Sequence, residues 1–357
     1  MSAVARRISN ERRRKGRAYV LTPILAGALI VAAGQPPAAQ ELAGIDAALL
    51  TREAAQLPRL HSLVVSRNGT MIFERYFNGA TPGRLANIKS ASKSVVSALV
   101  GIAIDRKLIA SVREPIASYF DSMLTGADSA AKRQITIENL LTMQSGLAST
   151  SNRNYGAWVQ SPNWVRYALT RPLESEPGTR MAYSTGNTHL LSAILTKVTG
   201  ADTWQFAQTA VARPLGFSLA RWPRDPQGVY FGGNEMLLTP RQMLAFGELY
   251  RNRGAVNGKQ IVPAAWIEAS LVPRTRSNFS DQMYGYGWWL REMAGLRTFY
   301  AWGYGGQFII VVPDIETVVV STSAATVADD RRSHRRTIDD IIERLVLAPL
   351  AGDRVIE

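Results

Sequence analysis

The sequence predicts an α/β protein of the α+β type, in which an antiparallel sheet is built from both chain ends and flanked by helices. Patterns typical of strands occur near the start of the chain body and again near its end. A long helical region is inserted between them, and a last helix closes the chain. Elements in this order favour an antiparallel sheet with helices packed on it over a doubly wound parallel sheet.

The first predicted strands form a hairpin. Residues 61–66 and 71–76 are apolar runs rich in residues that favour β-structure. Asn68-Gly69 lies between them, and Asn-Gly is a strong signal for a tight hairpin turn.

The inserted region begins with helical periodicity over residues 91–105. Shorter helices are predicted near residues 136–143 and 188–198. A further helix over residues 240–250 has Thr239 as its N-cap and Pro240 in its first turn.

The second group of strands is predicted at residues 284–290, 298–302, 308–312 and 318–323. Asp314-Ile315-Glu316 supplies a turn between the last two. The closing helix is predicted over residues 334–346.

The composition excludes several classes of protein. With 46% hydrophobic residues, the 357-residue chain can bury a substantial core. It has no cysteine, which excludes a disulfide framework, a catalytic thiol and a thiolate zinc site. Three histidines leave little room for a metal site, and no metal, nucleotide or dinucleotide motif occurs. We therefore expect neither metal nor cofactor, and the lack of a 20-residue apolar run in the body excludes a multi-span membrane protein.

Residues 1–39 form a separate segment. They hold seven of the 41 basic side chains and one of the 28 acidic ones, so removing them lowers the formal net charge from +13 to +7. A basic stretch, an apolar stretch and then small residues are the pattern of a secretory signal, with an uncleaved N-terminal anchor as the alternative. We expect an exported protein, periplasmic or secreted, that meets a membrane only if this segment stays attached. Residues 40–357 would form the functional domain.

One dense basic cluster remains in the body, and it consists of Arg331, Arg332, Arg335 and Arg336 beside two aspartates. We interpret it as a solvated loop and helix start. Because no nucleic-acid motif accompanies it, we expect no nucleic-acid partner.

The strongest chemical signal is Ser90-Ala91-Ser92-Lys93 at the entry to the first long helix. The spacing places Ser90 and Lys93 on one helix face. A serine hydroxyl is a weak nucleophile, and a neutral lysine amine can serve as its base. The partial positive charge of the helix start also favours an oxyanion beside Ser90. On the tetrapeptide alone, an N-cap serine and a surface lysine remain the simpler interpretation.

In its context this motif resembles that of the serine β-lactamase and penicillin-binding-protein superfamily, and most closely its class C-like branch with esterases and 6-aminohexanoate-dimer hydrolases. The resemblance spans about residues 60–347. Further stretches that carry it are Ile135 to Leu147, Pro177-Gly178, Gly232-Gly233, Leu238 to Met243, Asn257 to Pro263, and Trp266. It implies the fold described above and a serine hydrolase that works through an acyl-enzyme.

The family's second motif, Tyr-x-Asn, corresponds to Tyr183-Ser184-Thr185. The resemblance implies that Tyr183 is catalytic. A phenol near a lysine charge can exist partly as phenolate and pass a proton between nucleophile and leaving group. Thr185 stands where the family's β-lactam-handling members carry Asn. Asn187 is close by but out of register, and we consider it a candidate for substrate binding.

The third family motif, Lys/His-Thr-Gly, corresponds to the region Ala301-Trp302-Gly303-Tyr304-Gly305-Gly306-Gln307. By the resemblance, the backbone N–H groups of Ser90 and Tyr304 would form the oxyanion hole, beside Gly303 and Gly305. No cation precedes the glycines. Trp302 cannot pair with the carboxylate of a penicillin or a D-Ala-D-Ala peptide, so a neutral ester or small amide suits the site better.

The resulting prediction is a serine hydrolase of small esters or amides, in which Ser90, Lys93 and Tyr183 are catalytic. Two alternatives remain: β-lactamase or D-Ala-D-Ala peptidase activity, and a non-catalytic binding or regulatory protein on the same scaffold. An α/β-hydrolase triad lacks its G-x-S-x-G anchor. His189 is therefore interpreted as a surface or core histidine. The sequence does not determine the oligomeric state.

Overall fold

The computed structural model describes residues 44–326 and 328–352. The predicted signal or anchor over residues 1–39 lies outside the described residues. Within the described part, no helix is both long and apolar enough to cross a membrane.

The strands of the described residues are β1 (Leu60–Arg67), β2 (Thr70–Tyr76), β3 (Ala86–Asn87), β4 (Leu237–Leu238), β5 (Ala255–Val256), β6 (Lys259–Gln260), β7 (Thr275–Arg276), β8 (Met283–Tyr284), β9 (Trp289–Met293), β10 (Leu296–Gly303), β11 (Gln307–Val312) and β12 (Thr317–Ser323). Eight of them form one antiparallel sheet in the order β2-β1-β12-β11-β10-β9-β8-β7. Val64 of β1 pairs with Val320 of β12, so strands from the two ends of the chain are neighbours in the sheet, in its second and third positions. The predicted sheet is confirmed.

The α-helices of the described residues are α1 (Ala47–Ala55), α2 (Ser92–Asp105), α3 (Ala117–Phe120), α4 (Ser129–Lys132), α5 (Ile137–Leu141), α6 (Tyr155–Val159), α7 (Trp164–Thr170), α8 (Thr185–Thr199), α9 (Thr203–Ala207), α10 (Pro240–Arg251), α11 (Ala264–Ser270), α12 (Arg331–Ile342) and α13 (Ala348–Gly352). Short 3₁₀ or π turns extend several of them, at Lys89–Ala91, Asp121–Met123, Asn152–Asn154, Gln208–Ala212 and Glu343–Leu347. A further 3₁₀ turn, Pro313–Ile315, connects β11 to β12.

The sheet buries both of its faces against helices, which gives a three-layer arrangement. Alternate residues of a strand point to opposite faces. In β12, Val318 and Val320 pack in the core that contains α2, α8 and α10, whereas Val319 packs in the core with α1 and α12. Strands buried on both sides become continuous apolar runs, as in β11 and β12.

The sequence prediction differs from the structure in a few elements. The single strand expected over residues 284–290 is wrong, because the chain turns between β8 and β9. Gly287 has φ +79°, and the Gly285 N–H donates to the Trp288 carbonyl (2.9 Å) to close the turn. Helix α1 was not predicted. Helix α5 is shorter than expected, but its N-terminus carries a capping box between Thr136 and Asn139.

Candidate active site

Ser90 lies in the 3₁₀ turn Lys89–Ala91, which leads directly into α2. This turn is held by the small sheet of β3 and β4, because Ile88 N–H donates to the Met236 carbonyl (2.9 Å). Lys89 has φ +50°, a backbone conformation that residues other than glycine seldom adopt. The Lys89 ammonium pairs with Glu235 (2.8 Å), which ties the turn to the loop before β4. The hydrogen bond of Ile88 and the ion pair of Lys89 thus fix the backbone that leads into Ser90.

Lys93 follows Ser90 by one helical turn and is buried, with 2% of its surface exposed. Its Nζ lies 3.2 Å from Ser90 Oγ and 2.7 Å from the Gly233 carbonyl oxygen. Burial lowers the pKa of Lys93 to about 7, because water no longer solvates the ammonium. A substantial fraction of Lys93 is therefore neutral at neutral pH and can accept the proton of Ser90.

Tyr183 completes this group from the residue pair that precedes α8. Its hydroxyl hydrogen-bonds Ser90, and its ring centroid lies 5.1 Å from Lys93 Nζ. Burial raises the pKa of Tyr183 to about 12. The phenolate considered from the sequence is therefore not populated near neutral pH, because a buried phenolate would lose its solvation by water. Tyr183 is placed to act as a neutral phenol that donates or relays a proton.

These two pKa shifts predict the pH dependence of catalysis. If neutral Lys93 is the base, kcat/KM for an ester should be low when Lys93 is protonated, rise as pH increases through about 7, and then level off. The measurement is a pH profile of kcat/KM for an uncharged ester between pH 5 and 10. A base with the Tyr183 pKa of about 12 would instead give a rate that still climbs at pH 10, and that outcome would contradict the assignment.

A buried histidine supports the carbonyl that holds Lys93. His189 Nδ1 accepts a hydrogen bond from Gly232 N–H (3.3 Å), and its Nε2 lies 3.1 Å from Asp225 Oδ2. The side chains of His189 and Asp225 are fully buried. They anchor Gly232, and the next carbonyl, that of Gly233, faces Lys93 Nζ. Of the two positions that the sequence left open for His189, surface or core, the structure shows the core, and His189 does not line the cavity.

Thr185, which corresponds to the Asn of the second motif, brings a hydroxyl group close to Lys93. Thr185 Oγ1 lies 3.3 Å from Lys93 Nζ and 3.0 Å from Ser151 Oγ. Ser151 Oγ also accepts the Thr185 N–H (2.9 Å), which caps the start of α8 from a loop 34 residues earlier. Asn187 is placed differently. It is buried, accepts a hydrogen bond from Ser145 Oγ (3.0 Å), and does not line the cavity around Ser90.

The third-motif region forms the turn between β10 and β11. Its glycines adopt positive φ, with Gly305 at +89° and Gly306 at +103°. Buried Gln307 fixes the turn from below, because its side chain donates to the Ser323 carbonyl (2.7 Å) and accepts the Ser323 N–H (3.1 Å). Tyr304 at the tip of the turn lines the cavity.

Close packing brings this turn to the nucleophile. A Cβ at Gly303 would lie 2.0 Å from the Ile88 carbonyl oxygen, so only glycine permits the approach. The first hydrogen bond of this turn runs from the Ala91 N–H to the Ile88 carbonyl oxygen (3.1 Å). The Ser90 N–H comes one residue earlier, and so belongs to the N-terminal N–H groups that have no partner within the helix. Ser90 and Tyr304 line the same cavity, as an oxyanion hole built from their amides requires.

The cavity beside Ser90 has a volume of about 480 Å³ and a largely aromatic wall. Trp289, Trp302, Tyr304 and Tyr183 all contribute to it. Trp302 lies on β10, and the resemblance predicts that it stands at the position of the third motif's cation. Trp288 does not line the cavity, because it is buried against Phe246 and Tyr250 of α10.

Several cavity residues were not predicted from the sequence. They are Lys89, Ser151, Asn152, Tyr155, Asn234, Glu235, Phe279 and Ala325. Asn234 donates to the Tyr155 hydroxyl (2.8 Å), which links two distant loops across the cavity. The polar run from Ser149 to Asn152 was the available signal, since functional residues often lie on loops. No local sequence pattern indicates that Asn234 and Glu235 line the same cavity as this polar run.

A family model described as Beta-lactamase matches residues 59–343 of this chain. A curated relative, the 6-aminohexanoate-dimer hydrolase of Paenarthrobacter ureafaciens, is 22% identical over 310 residues, which cover 76% of this chain and 74% of the relative. Among solved structures, EstCE1, a hydrolase with promiscuous acyltransferase activity, is similar with a TM-score of 0.67 at 18% identity, over 83% of this chain and 98% of that one. The octameric penicillin-binding protein homologue from Pyrococcus abyssi is similar with a TM-score of 0.64 at 17% identity, over 87% and 80% of the chains.

Proposed function

Because the chain belongs to the beta-lactamase family, we propose that it is a serine hydrolase that cleaves a small ester or amide through an acyl-enzyme on Ser90. One observation carries the proposal. Ser90 Oγ lies 3.2 Å from the Nζ of a buried lysine, at the wall of a cavity of about 480 Å³. A nucleophile within reach of a base, in a cavity that admits a small molecule, is the arrangement that acyl transfer needs.

In the first step, Ser90 Oγ attacks the carbonyl carbon of the substrate while its proton moves to neutral Lys93. The negative charge on the former carbonyl oxygen would be held by the Ser90 and Tyr304 N–H groups. The start of α2 adds a partial positive charge at the same place.

In the second step, the bond to the leaving group breaks and the leaving oxygen or nitrogen takes a proton. Tyr183 hydrogen-bonds Ser90 and has its ring beside Lys93, so it can relay the proton from Lys93 to the leaving group. Water then attacks the acyl-enzyme, with neutral Lys93 again available as base, and Ser90 regains its proton.

The aromatic wall favours an uncharged reacting group. Trp302 offers apolar area and one N–H where a lysine or histidine would offer a charge, so a carboxylate at this point would lose its ion pair. The curated relative is a 6-aminohexanoate-dimer hydrolase, and because the dimer of an amino acid is an amide, this similarity also supports a small amide as substrate.

The test is intact-mass measurement after incubation with a fluorophosphonate probe, followed by assays with a short-chain nitrophenyl ester and a chromogenic cephalosporin. We expect one covalent adduct and much faster turnover of the ester than of the cephalosporin. Faster turnover of the cephalosporin would assign β-lactamase chemistry instead. A folded protein with neither adduct nor turnover would refute the proposal and leave a binding protein on this scaffold.

A further inference from the structure

A second cavity, of about 790 Å³, adjoins the one that contains Ser90. The two cavities share four lining residues, Asn152, Phe279, Trp302 and Tyr304. Ser90 and Tyr183 line only the first cavity. A molecule bound at Ser90 can therefore extend past Trp302 and Tyr304 into the second space.

The second cavity is strongly basic, and we call it the arginine cleft. Five arginines line it, namely Arg291, Arg331, Arg332, Arg335 and Arg336. Asp339 is the one acidic residue among its described lining residues.

That aspartate is already engaged. Arg291 binds both of its carboxylate oxygens, at 2.8 and 3.1 Å, and Arg335 Nε lies 3.6 Å away. Arg335 also stacks on Trp302, with 4.0 Å between the guanidinium carbon and the ring centroid. Because Arg335 lines only the second cavity, this contact places a cation on the side of Trp302 that faces away from Ser90.

The remaining arginines are not neutralised. Arg332 and Arg336 are exposed, and neither forms an ion pair within the described part of the chain. They are spaced by one helical turn on α12, so both guanidinium groups project from one side of the helix. Arg331 and Arg332 also lie at the N-terminal end of α12, where the helix dipole disfavours positive charge. A bound anion would stabilise these positive charges at the start of α12.

We propose that the arginine cleft binds an anionic group of the substrate, a carboxylate or a phosphate, at a distance from the bond that is cleaved. Guanidinium groups recognise both anions through paired N–H donors. The inference rests on the proposed function and refines it: the reacting group is uncharged and lies against Trp302, while the anionic group lies beyond Trp302. The sequence predicts a solvated helix start here, and Arg332 and Arg336 are exposed near the start of α12; the assignment of an anion site goes beyond that interpretation.

The first test compares substrates that differ only in charge. One series consists of 4-nitrophenyl esters of equal chain length that end in a methyl ester, a carboxylate or a phosphonate. A second pair carries the charge on the leaving group: the butyrate ester of 5-hydroxy-2-nitrobenzoic acid and that of its methyl ester. The readout is the ratio of kcat/KM for the anionic substrate to that for the neutral one.

The variant is Arg332→Gln/Arg336→Gln, which removes two unpaired charges from the cleft. The control is Arg52→Gln/Arg213→Gln, which removes two exposed charges elsewhere and changes the net charge equally. In at least one series we expect the wild-type ratio to favour the anion, to fall by roughly fivefold in the cleft variant, and to decrease with added salt. The control should keep the wild-type ratio. A ratio that the cleft variant leaves unchanged in both series would overturn the proposal. The carboxylate and phosphonate esters identify the preferred anion.

A binding measurement separates this inference from the proposed function. Monomethyl adipate and dimethyl adipate are titrated by calorimetry into Ser90→Ala protein, with and without the two arginine substitutions. We expect the monoanion to bind more tightly, and its Kd to rise at least about fivefold when Arg332 and Arg336 are replaced. This result would stand even if no ester were hydrolysed. Equal binding of both adipates, or no detectable binding, would refute the arginine cleft as an anion site.

Discussion

Replacing Ser90 with alanine is expected to lower kcat for a nitrophenyl ester by a factor of ~10⁴ or more, because the covalent step loses its nucleophile. Ser90 Oγ is the atom that Lys93 and Tyr183 both contact, so no nearby hydroxyl has the same two partners. The fluorophosphonate adduct should vanish in the same variant. The measurements are steady-state kinetics and intact mass on Ser90→Ala and wild-type protein.

The control is Ser218→Ala, at an exposed serine that does not line the cavity, which should keep wild-type turnover and labelling. Thermal unfolding should show that Ser90→Ala is folded, since Ser90 is only half-buried and its loss leaves a small gap. A folded Ser90→Ala protein with wild-type kcat would remove Ser90 from the mechanism, and with it the acyl-enzyme.

Replacing Lys93 with methionine is expected to lower kcat by roughly 10²- to 10⁴-fold, the range for loss of a general base. Methionine keeps most of the side-chain volume, so the change removes the amine while the packing beneath Ser90 is largely preserved. The rise of kcat/KM with pH near 7 should disappear in the residual activity, because the titrating group is gone. Kinetics between pH 5 and 10 measure both effects.

The same substitution should leave folding intact or stabilise it. The folded-state pKa of Lys93, about 7, lies below its ordinary value of 10.5, so burying the ammonium costs stability at low pH. That cost is present in full below pH 7 and is relieved as pH rises toward 10.5. Denaturant unfolding should therefore show that Lys93→Met gains most over wild type at pH 6 and less at pH 9.

Lys132 offers a matched control, because it is equally buried but forms an ion pair with Asp128 (3.1 Å) outside the cavity. Lys132→Met should lose stability, since it leaves that carboxylate without its partner, and should keep wild-type kcat and the wild-type pH profile. If Lys93→Met and Lys132→Met affected kcat alike, the loss would reflect damage to the fold and not the loss of a base.

Much of the site was predictable because its signals are local. Ser90 and Lys93 are three residues apart, and helix geometry alone puts them side by side. Tyr183 followed from the resemblance to a family whose motifs occur in this order along the chain. The sheet followed from apolar runs near both chain ends, and its one wrong strand lies where Gly287 bends the chain.

The sequence by itself determined the fold class, the family and the three residues expected to act on the substrate, because helix spacing, strand patterns and family motifs are read over short stretches of chain. Only the tertiary structure decided how these residues behave. Burial sets the pKa of Lys93 and Tyr183, and burial depends on the packing of distant segments. The carbonyl that contacts Lys93 comes from 140 residues away, held by His189 and Asp225. Likewise, the arginines of α12 adjoin the site only because β10 and α12 fold together.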